Sequence, residues 1–147
     1  MSYVRMLVHA VFSTKNREIS LSKSVKDAIC EHIMEEAWKK SIRLMAINGH
    51  VDHLHCLISI GPKQCIADIM QAIKGESAYW FNNQSGHVEL SRLIWQDDYF
   101  AVSVSESHAQ SVIQYINRQE EHHLGMTYYQ EVQRMAEKYG FDLKISS

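Results

Sequence analysis

The order in which two apolar rhythms alternate along this chain admits few folds. Residues Tyr3 to Phe12 are rich in Val, Leu, Tyr and Phe and alternate around Leu7, His9 and Val11, which predicts a strand. The polar stretch Ser13-Thr14-Lys15-Asn16-Arg17 then turns the chain. From Ser22 to Lys40 the period changes. Val25, Ile29, Ile33 and Ala37 recur at helical spacing, with Ser22 or Ser24 as cap. Strands follow over Ser41 to Asn48 and over Leu54 to Ile60, separated by Gly49-His50-Val51-Asp52 and stopped by Gly61-Pro62. Ile66, Ile69, Met70, Ile73, Trp80 and Phe81 mark a second long helix, interrupted or bent near Gly75. After a loop from Asn82 to Tyr99, Phe100 to Ser105 alternates as a fourth strand. Glu106 to His123 predicts one helix with Ala109, Val112, Ile113 and Ile116 as its apolar stripe, ended by Gly125. Thr127 caps a last helix reaching Tyr139, with Gly140 as its stop.

Strand, helix, strand, strand, helix, strand is a split β-α-β repeat. It predicts an α+β protein with a four-stranded antiparallel sheet and two core helices on one face. The other face would be bare, so the extra C-terminal helices, a second subunit or a ligand must cover it. One proline and six glycines leave little room for linkers, and 147 residues suit a single domain spanning 1–147. An apolar fraction of 46% and a charged fraction of 22% exclude a disordered tail, a collagen-like chain and a disulfide miniprotein. No apolar run approaches the ~18 residues of a membrane helix, and the first residues lack the pattern of a secretion signal. Cys30, Cys56 and Cys65 are odd in number and unpaired in spacing, which suggests buried thiols of a reducing cytoplasm. A net charge of -2 and a pI near 6.5 argue against a general nucleic-acid binder.

Nine histidines are many for this length. His53 and His55 are two apart on the third strand, so both imidazoles leave the sheet on one face while Leu54, Cys56 and Ile58 face the helices. The pair reads either as metal ligands or as two half-exposed histidines on a solvent face. Tyr115, Gln119 and His122 fall on one side of the penultimate helix, within roughly 60° of one another. Gln119 could supply a carbonyl oxygen as a third ligand, and His122 a ligand, a phosphate contact or a helix-end partner. A lone tyrosine such as Tyr115 is more commonly a rim residue packed on a sheet. Asp52 could orient an imidazole from behind or simply serve the turn.

His53-Leu54-His55 is a His-hydrophobic-His motif, and Tyr115-Ile116-Asn117-Arg118-Gln119 is a Tyr-x-x-x-Gln motif. Taken with Ser13 to Arg17 after the first strand, Lys74-Gly75 in the second helix and Trp95-Gln96 before the fourth strand, they make the chain resemble the single-tyrosine HUH transposases. These are the TnpA-like enzymes of the smallest bacterial insertion sequences, with the repeat-associated tyrosine transposases as relatives. The resemblance covers nearly the whole chain in the right order. It implies a ferredoxin-like fold and an obligate homodimer with joined sheets, in which the tyrosine helix of one chain can complete the metal site of the other. It implies action on single-stranded DNA beside small subterminal hairpins. By it, His53, His55 and Gln119 are the metal ligands and Tyr115 is the nucleophile.

The chemistry suits those residue types. A phenol with pKa near 10 is a weak nucleophile at neutral pH, and a phosphodiester repels anions. A divalent ion on the non-bridging oxygen relieves both difficulties, and a His-rich site fits Mg²⁺ or Mn²⁺. Attack by Tyr115 would leave a 5′-phosphotyrosine and a free 3′-hydroxyl. Because the covalent intermediate retains the free energy of the phosphodiester, a new 3′-hydroxyl can reverse the step without ATP. Lys15, Arg17, Lys74 and Arg118 are candidate phosphate contacts, and Trp95 and Tyr99 either stack on bases or pack internally. The family often carries an aromatic residue where Asn16 stands, and the acidic pI means that DNA binding must rely on a local basic face. Two other readings stand beside the transposase: a domesticated or inactive hairpin-DNA-binding dimer of the same fold, and an unrelated metallohydrolase using His53, His55 and His122 without Tyr115.

Overall fold

The computed structural model describes residues 2–15, 21–84, 92–122 and 126–140, with the side chain of His122 outside that description. Four strands, β1 (Met6–Ser13), β2 (Arg43–Gly49), β3 (His53–Ile60) and β4 (Phe100–Val104), form one sheet in the order β2-β3-β1-β4. Each neighbouring pair is antiparallel. Helix α1 (Lys23–Lys39) joins β1 to β2, and α2 (Ile66–Asn82) joins β3 to β4. This is the ferredoxin-like arrangement that the element order predicts. Among the described residues, three α-helices follow β4: α3 (Ala109–Asn117), the single turn α4 (Gln119–His122) and α5 (Tyr128–Tyr139).

Strand alternation divides the buried residues into two groups. Ala10 and Phe12 of β1 and Leu54, Cys56, Ile58 and Ile60 of β3 pack with Ile29, Ile33, Ile69, Met70 and Ile73 of α1 and α2. From the opposite face, Leu7, Ala46 and Leu57 pack with Ala109 and Ile116 of α3. The chain's own C-terminal helices thus cover the face that the split repeat leaves bare. Burying the first group from water at about 25 cal/mol per Å² of apolar surface is the main drive for docking α1 and α2.

Ser22 caps α1, its hydroxyl accepting from the Val25 N–H. The turn between β2 and β3 depends on Gly49, where a Cβ would come within 2.1 Å of the His53 carbonyl oxygen. Three expectations change. Helix α2 runs through Gly75 without interruption. Two residues beyond that glycine, the Ser77 hydroxyl donates to the Ile73 carbonyl one turn back. The single helix expected from Glu106 to His123 is broken into a 3-10 turn at Glu106–His108, then α3, then α4. Arg118 leaves helical geometry at the break, where Asn48 of β2 donates its side-chain amide to the Asn117 carbonyl at 3.2 Å. Cys30 and Cys56 are buried but Cys65, at the N-terminal boundary of α2, is exposed. Trp95 is internal: its ring meets Phe12 edge-on at 4.8 Å, and its indole N–H donates to Ser77 Oγ at 3.0 Å.

Candidate metal centre and its tyrosine

His53 and His55 lie on the face of β3 covered by α3 to α5, and both are fully buried. The solvent-facing alternative for this pair therefore fails. The His53 Nδ1–H donates to the Asp52 carboxylate at 2.8 Å, which turns Nε2 into the site. Asp52 is itself tied to β1, its carbonyl accepting from the Thr14 N–H at 2.8 Å. His53 Nε2 faces the Gln119 carbonyl oxygen at 3.3 Å. His55 is oriented from behind by His9 of β1, with 2.8 Å between His9 Nε2 and His55 Nδ1. Its own Nε2 meets the Glu131 carboxylate of α5, and the same carboxylate oxygen lies 3.7 Å from His53 Nε2.

Glu131 was not a candidate from the sequence, and neither was His9. Glu131 enters because Thr127 and Gln130 close a capping box that starts α5 at Tyr128 and places Glu131 in its first turn. It is 2% exposed. The cap at Thr127 was read from the sequence, but its reciprocal partner Gln130 and the place where that first turn docks were not. His9 shares a face with Leu7 and Val11 by alternation, and only the pairing of β1 with β3 brings it to His55.

A buried carboxylate is costly unless positive charge or hydrogen bonds compensate it. Burial alone would lower the pKa of His53, yet the Asp52 and Glu131 carboxylates outweigh it and hold the value above that of an ordinary histidine. His9 is pushed down to about 3, by burial first and by His55 second, so it stays neutral. The ligand atoms of His53, His55 and Glu131 all lie within 4.8 Å of one another. Two imidazoles and a carboxylate at that spacing are a donor set fit for one divalent cation, and such an ion would compensate the buried charge.

Tyr115 stands over this group. Its ring centroid lies 5.6 Å from that of His55 and 6.2 Å from that of His9, both edge-on. Burial raises its pKa above the ordinary phenol value, and the charge of Glu131 and a hydrogen bond to it raise it further. Gln119 opens α4 just beyond the Arg118 break and is fully buried. Lys26 of α1 anchors that turn: only 3% exposed, it donates to Glu120, next to Gln119, and to Asn48 Oδ1 at 2.8 Å.

The basic candidates do not gather here. Lys74 lies on α2, in the helix layer on the other side of the sheet, where it donates to the Asp97 carbonyl at 2.8 Å and sits 5.6 Å over the Tyr99 ring. Burial lowers its pKa. Lys15 and Arg118 are exposed. Arg17 falls outside the described residues, and His122 lies in α4 with its side chain outside them.

The fold and site define an α+β protein in which two imidazoles from the sheet meet a carboxylate and a phenol from the helices that cover it. Residues 2–119 match the family described as Transposase IS200 like, and the chain belongs to that family of insertion-sequence transposases. It is 26% identical over 114 residues to the ISDra2 transposase TnpA of Deinococcus radiodurans, covering 76% of this chain and 81% of that one. It is 26% identical over 114 residues to the transposase for insertion sequence element IS200 of Salmonella typhimurium, covering 76% of this chain and 74% of that one. A crystal structure assigned to a D. radiodurans transposase superposes with a TM-score of 0.64 at 27% identity, over 81% of this chain and 95% of that one. The REP-associated tyrosine transposase bound to a REP hairpin shares the fold, with a TM-score of 0.60 at 13% identity, over 84% of this chain and 72% of that one. Helix α5, with Glu131, lies beyond the family match. Among the described residues no helix is long and apolar enough to cross a membrane.

Proposed function

We propose that this transposase cuts and rejoins single-stranded DNA, with Tyr115 as nucleophile and a divalent cation, Mg²⁺ or Mn²⁺, held by His53, His55 and Glu131 beside Gln119. The observation that carries the proposal is the placement of the Tyr115 phenol on the same buried group as the two imidazoles and the carboxylate. Burial holds the phenol in its protonated form, and the charge of Glu131 and the hydrogen bond to it add to that. A bound cation would offset that carboxylate's charge, polarise a phosphate oxygen and orient the phosphodiester. Asp52 and His9 lock the two imidazoles in position, and Lys26 and Asn48 hold the Arg118 break that delivers Gln119. The Tyr115 oxygen gives up its proton to solvent and bonds to phosphorus, the bond from phosphorus to the 3′-oxygen breaks, and the departing oxygen takes up a proton to become a 3′-hydroxyl. The DNA 5′-phosphate remains on the tyrosine until another 3′-hydroxyl reverses the step.

The substrate in this reading is single-stranded DNA carrying hairpins near the element's ends. The hairpin in the REP-associated relative supports that choice. The chain would act in the cytoplasm as a single domain, residues 1–147, paired in a homodimer. Lys15, Arg17 and Arg118 would contact phosphates, with Lys74 as a more distant contact and His122 near the metal group.

The test is incubation of the purified chain and Mn²⁺ or Mg²⁺ with a single-stranded oligonucleotide from the element's end. A covalent protein–DNA adduct is expected with wild type, and Tyr115→Phe should keep DNA binding but lose the adduct. Normal cleavage by Tyr115→Phe would overturn the nucleophile. A free 5′-phosphate without adduct would favour the metallohydrolase, and binding without cleavage the inactive hairpin binder. Mixing Tyr115→Phe with His53→Ala chains tests sharing across the dimer: recovered activity would mean that tyrosine and metal group come from different chains.

A further inference from the structure

A second set of metal-ligating side chains lies on the other side of the sheet, between α1 and α2. His32 and Glu36 are one turn apart on α1 and share a face of that helix. Glu76 of α2 reaches the same point, with 2.6 Å between its Oε2 and His32 Nε2. One ligand atom from each of the three falls within a common 4.8 Å. The group is sheltered: the side chains of His32, Glu36 and Glu76 are 12%, 25% and 26% exposed.

Two further observations set it apart from a surface ion pair. The His32 ring stacks on Trp80 at 4.0 Å and 9°, so the imidazole is held in one orientation. Beside it, a crevice of about 10 Å³ is lined by Glu36, Glu76 and Lys40 together with Ile33, Ala37, Ala72 and Ile73. That is room for about one water-sized body. Two like-charged carboxylates meet at this group, and the His32 imidazole and Lys40 offset part of the charge on Glu36. Lys39 supplies part of the balance by donating to Glu36 Oε1 at 3.0 Å, but it is an exposed lysine whose ammonium can move away at small cost.

We propose that His32, Glu36 and Glu76 form a second divalent-cation site, of the zinc class, that ties α1 to α2. One imidazole and two carboxylates suit a borderline transition metal, and three protein donors leave positions for water. The site lies away from Tyr115 and is independent of the transposition chemistry. Its role is to fasten the helix layer, because an ion that binds the folded chain and not the unfolded one stabilises the fold by an amount that grows with the logarithm of its concentration above the dissociation constant.

The experiment uses the full chain with His53→Ala and His55→Ala, which removes the first centre, and Zn²⁺ alone as probe. Calorimetry should find one equivalent per chain, and Zn²⁺ should raise the melting temperature. Adding Glu76→Gln should weaken binding at least tenfold and abolish the thermal shift, while Lys39→Ala should tighten binding by removing the competing ammonium. Failure of the double variant to take up stoichiometric Zn²⁺, or uptake unchanged by Glu76→Gln, overturns the proposal. If the double variant does not fold, wild type and Glu76→Gln decide the matter: wild type should bind one more Zn²⁺ than Glu76→Gln, and equal uptake refutes the site. Adduct formation by wild type is scored separately, so a failed second site leaves the tyrosine mechanism standing.

Discussion

The two faces of β3 carry opposite chemistry on alternating residues. Leu54, Cys56 and Ile58 enter an apolar layer under α1 and α2, while His53 and His55 enter a polar group under α3, α4 and α5. Both faces are equally buried. The apolar face is stabilised by area alone, and any side chain of similar shape would serve there. The polar face is held by specific partners: Asp52 for His53, His9 for His55, and the two imidazoles for Glu131. A strand that buries polar groups on one face at such cost marks the face where chemistry happens, and the face made of plain packing marks the scaffold.

Substitutions one residue apart should separate these two functions. The largest effect is expected at His55→Ala, with adduct formation falling roughly 10²-fold or more while DNA binding persists. A gel assay for covalent product beside a binding assay checks this. A chelator such as EDTA should abolish wild-type adduct formation in the same assay, and Mn²⁺ added back should restore it. Leu54→Ala should do the reverse, leaving the chemistry of surviving folded protein intact and costing about 2–5 kcal/mol of stability in denaturant unfolding.

The Lys26 anchor is expected to matter less, and only through the polar face. Lys26→Met should lower adduct yield about tenfold by loosening Glu120 and hence Gln119, with DNA affinity near wild type. A proportional fall in affinity and yield would instead mean a general loss of structure. The smallest effect concerns the thiols. Burial pushes Cys30 and Cys56 up to about 12, whereas Cys65 is exposed. A thiol reagent at pH 8 should titrate one cysteine quickly and the other two only on unfolding, and Cys65→Ser should remove the fast phase. Because the unfolded chain releases these two thiol protons near the ordinary value of 9 while the folded chain retains them to about 12, stability should fall as pH rises through that window.

Much of the fold was legible because its signals are local. Alternation in Phe100 to Ser105, helical spacing of Val25, Ile29 and Ile33, and the cap at Thr127 each depend on residues within a turn or a pleat. Of the interruption or bend expected near Gly75, the interruption did not materialise, because a glycine inside a helix weakens the helix without ending it when the flanking turns are packed. The break at Arg118 was invisible for the converse reason: only Asn117 in Ile116-Asn117-Arg118-Gln119 disfavours a helix, and weakly, while the bond that engages the Asn117 carbonyl comes from Asn48 on the distant β2. Part of the polar group was legible through His53 and His55. Glu131 was not, since a glutamate in the first turn of a helix is ordinarily a solvent-facing complement to the helix dipole.

The residues by themselves determined the order of elements and the shared direction of His53 and His55, because backbone geometry sets both over a few neighbouring positions. Tertiary structure decided that His9, Glu131 and Tyr115 would meet that pair. Those contacts join segments far apart in the chain, and their geometry is set by how α3 to α5 pack across the sheet, which no local pattern encodes.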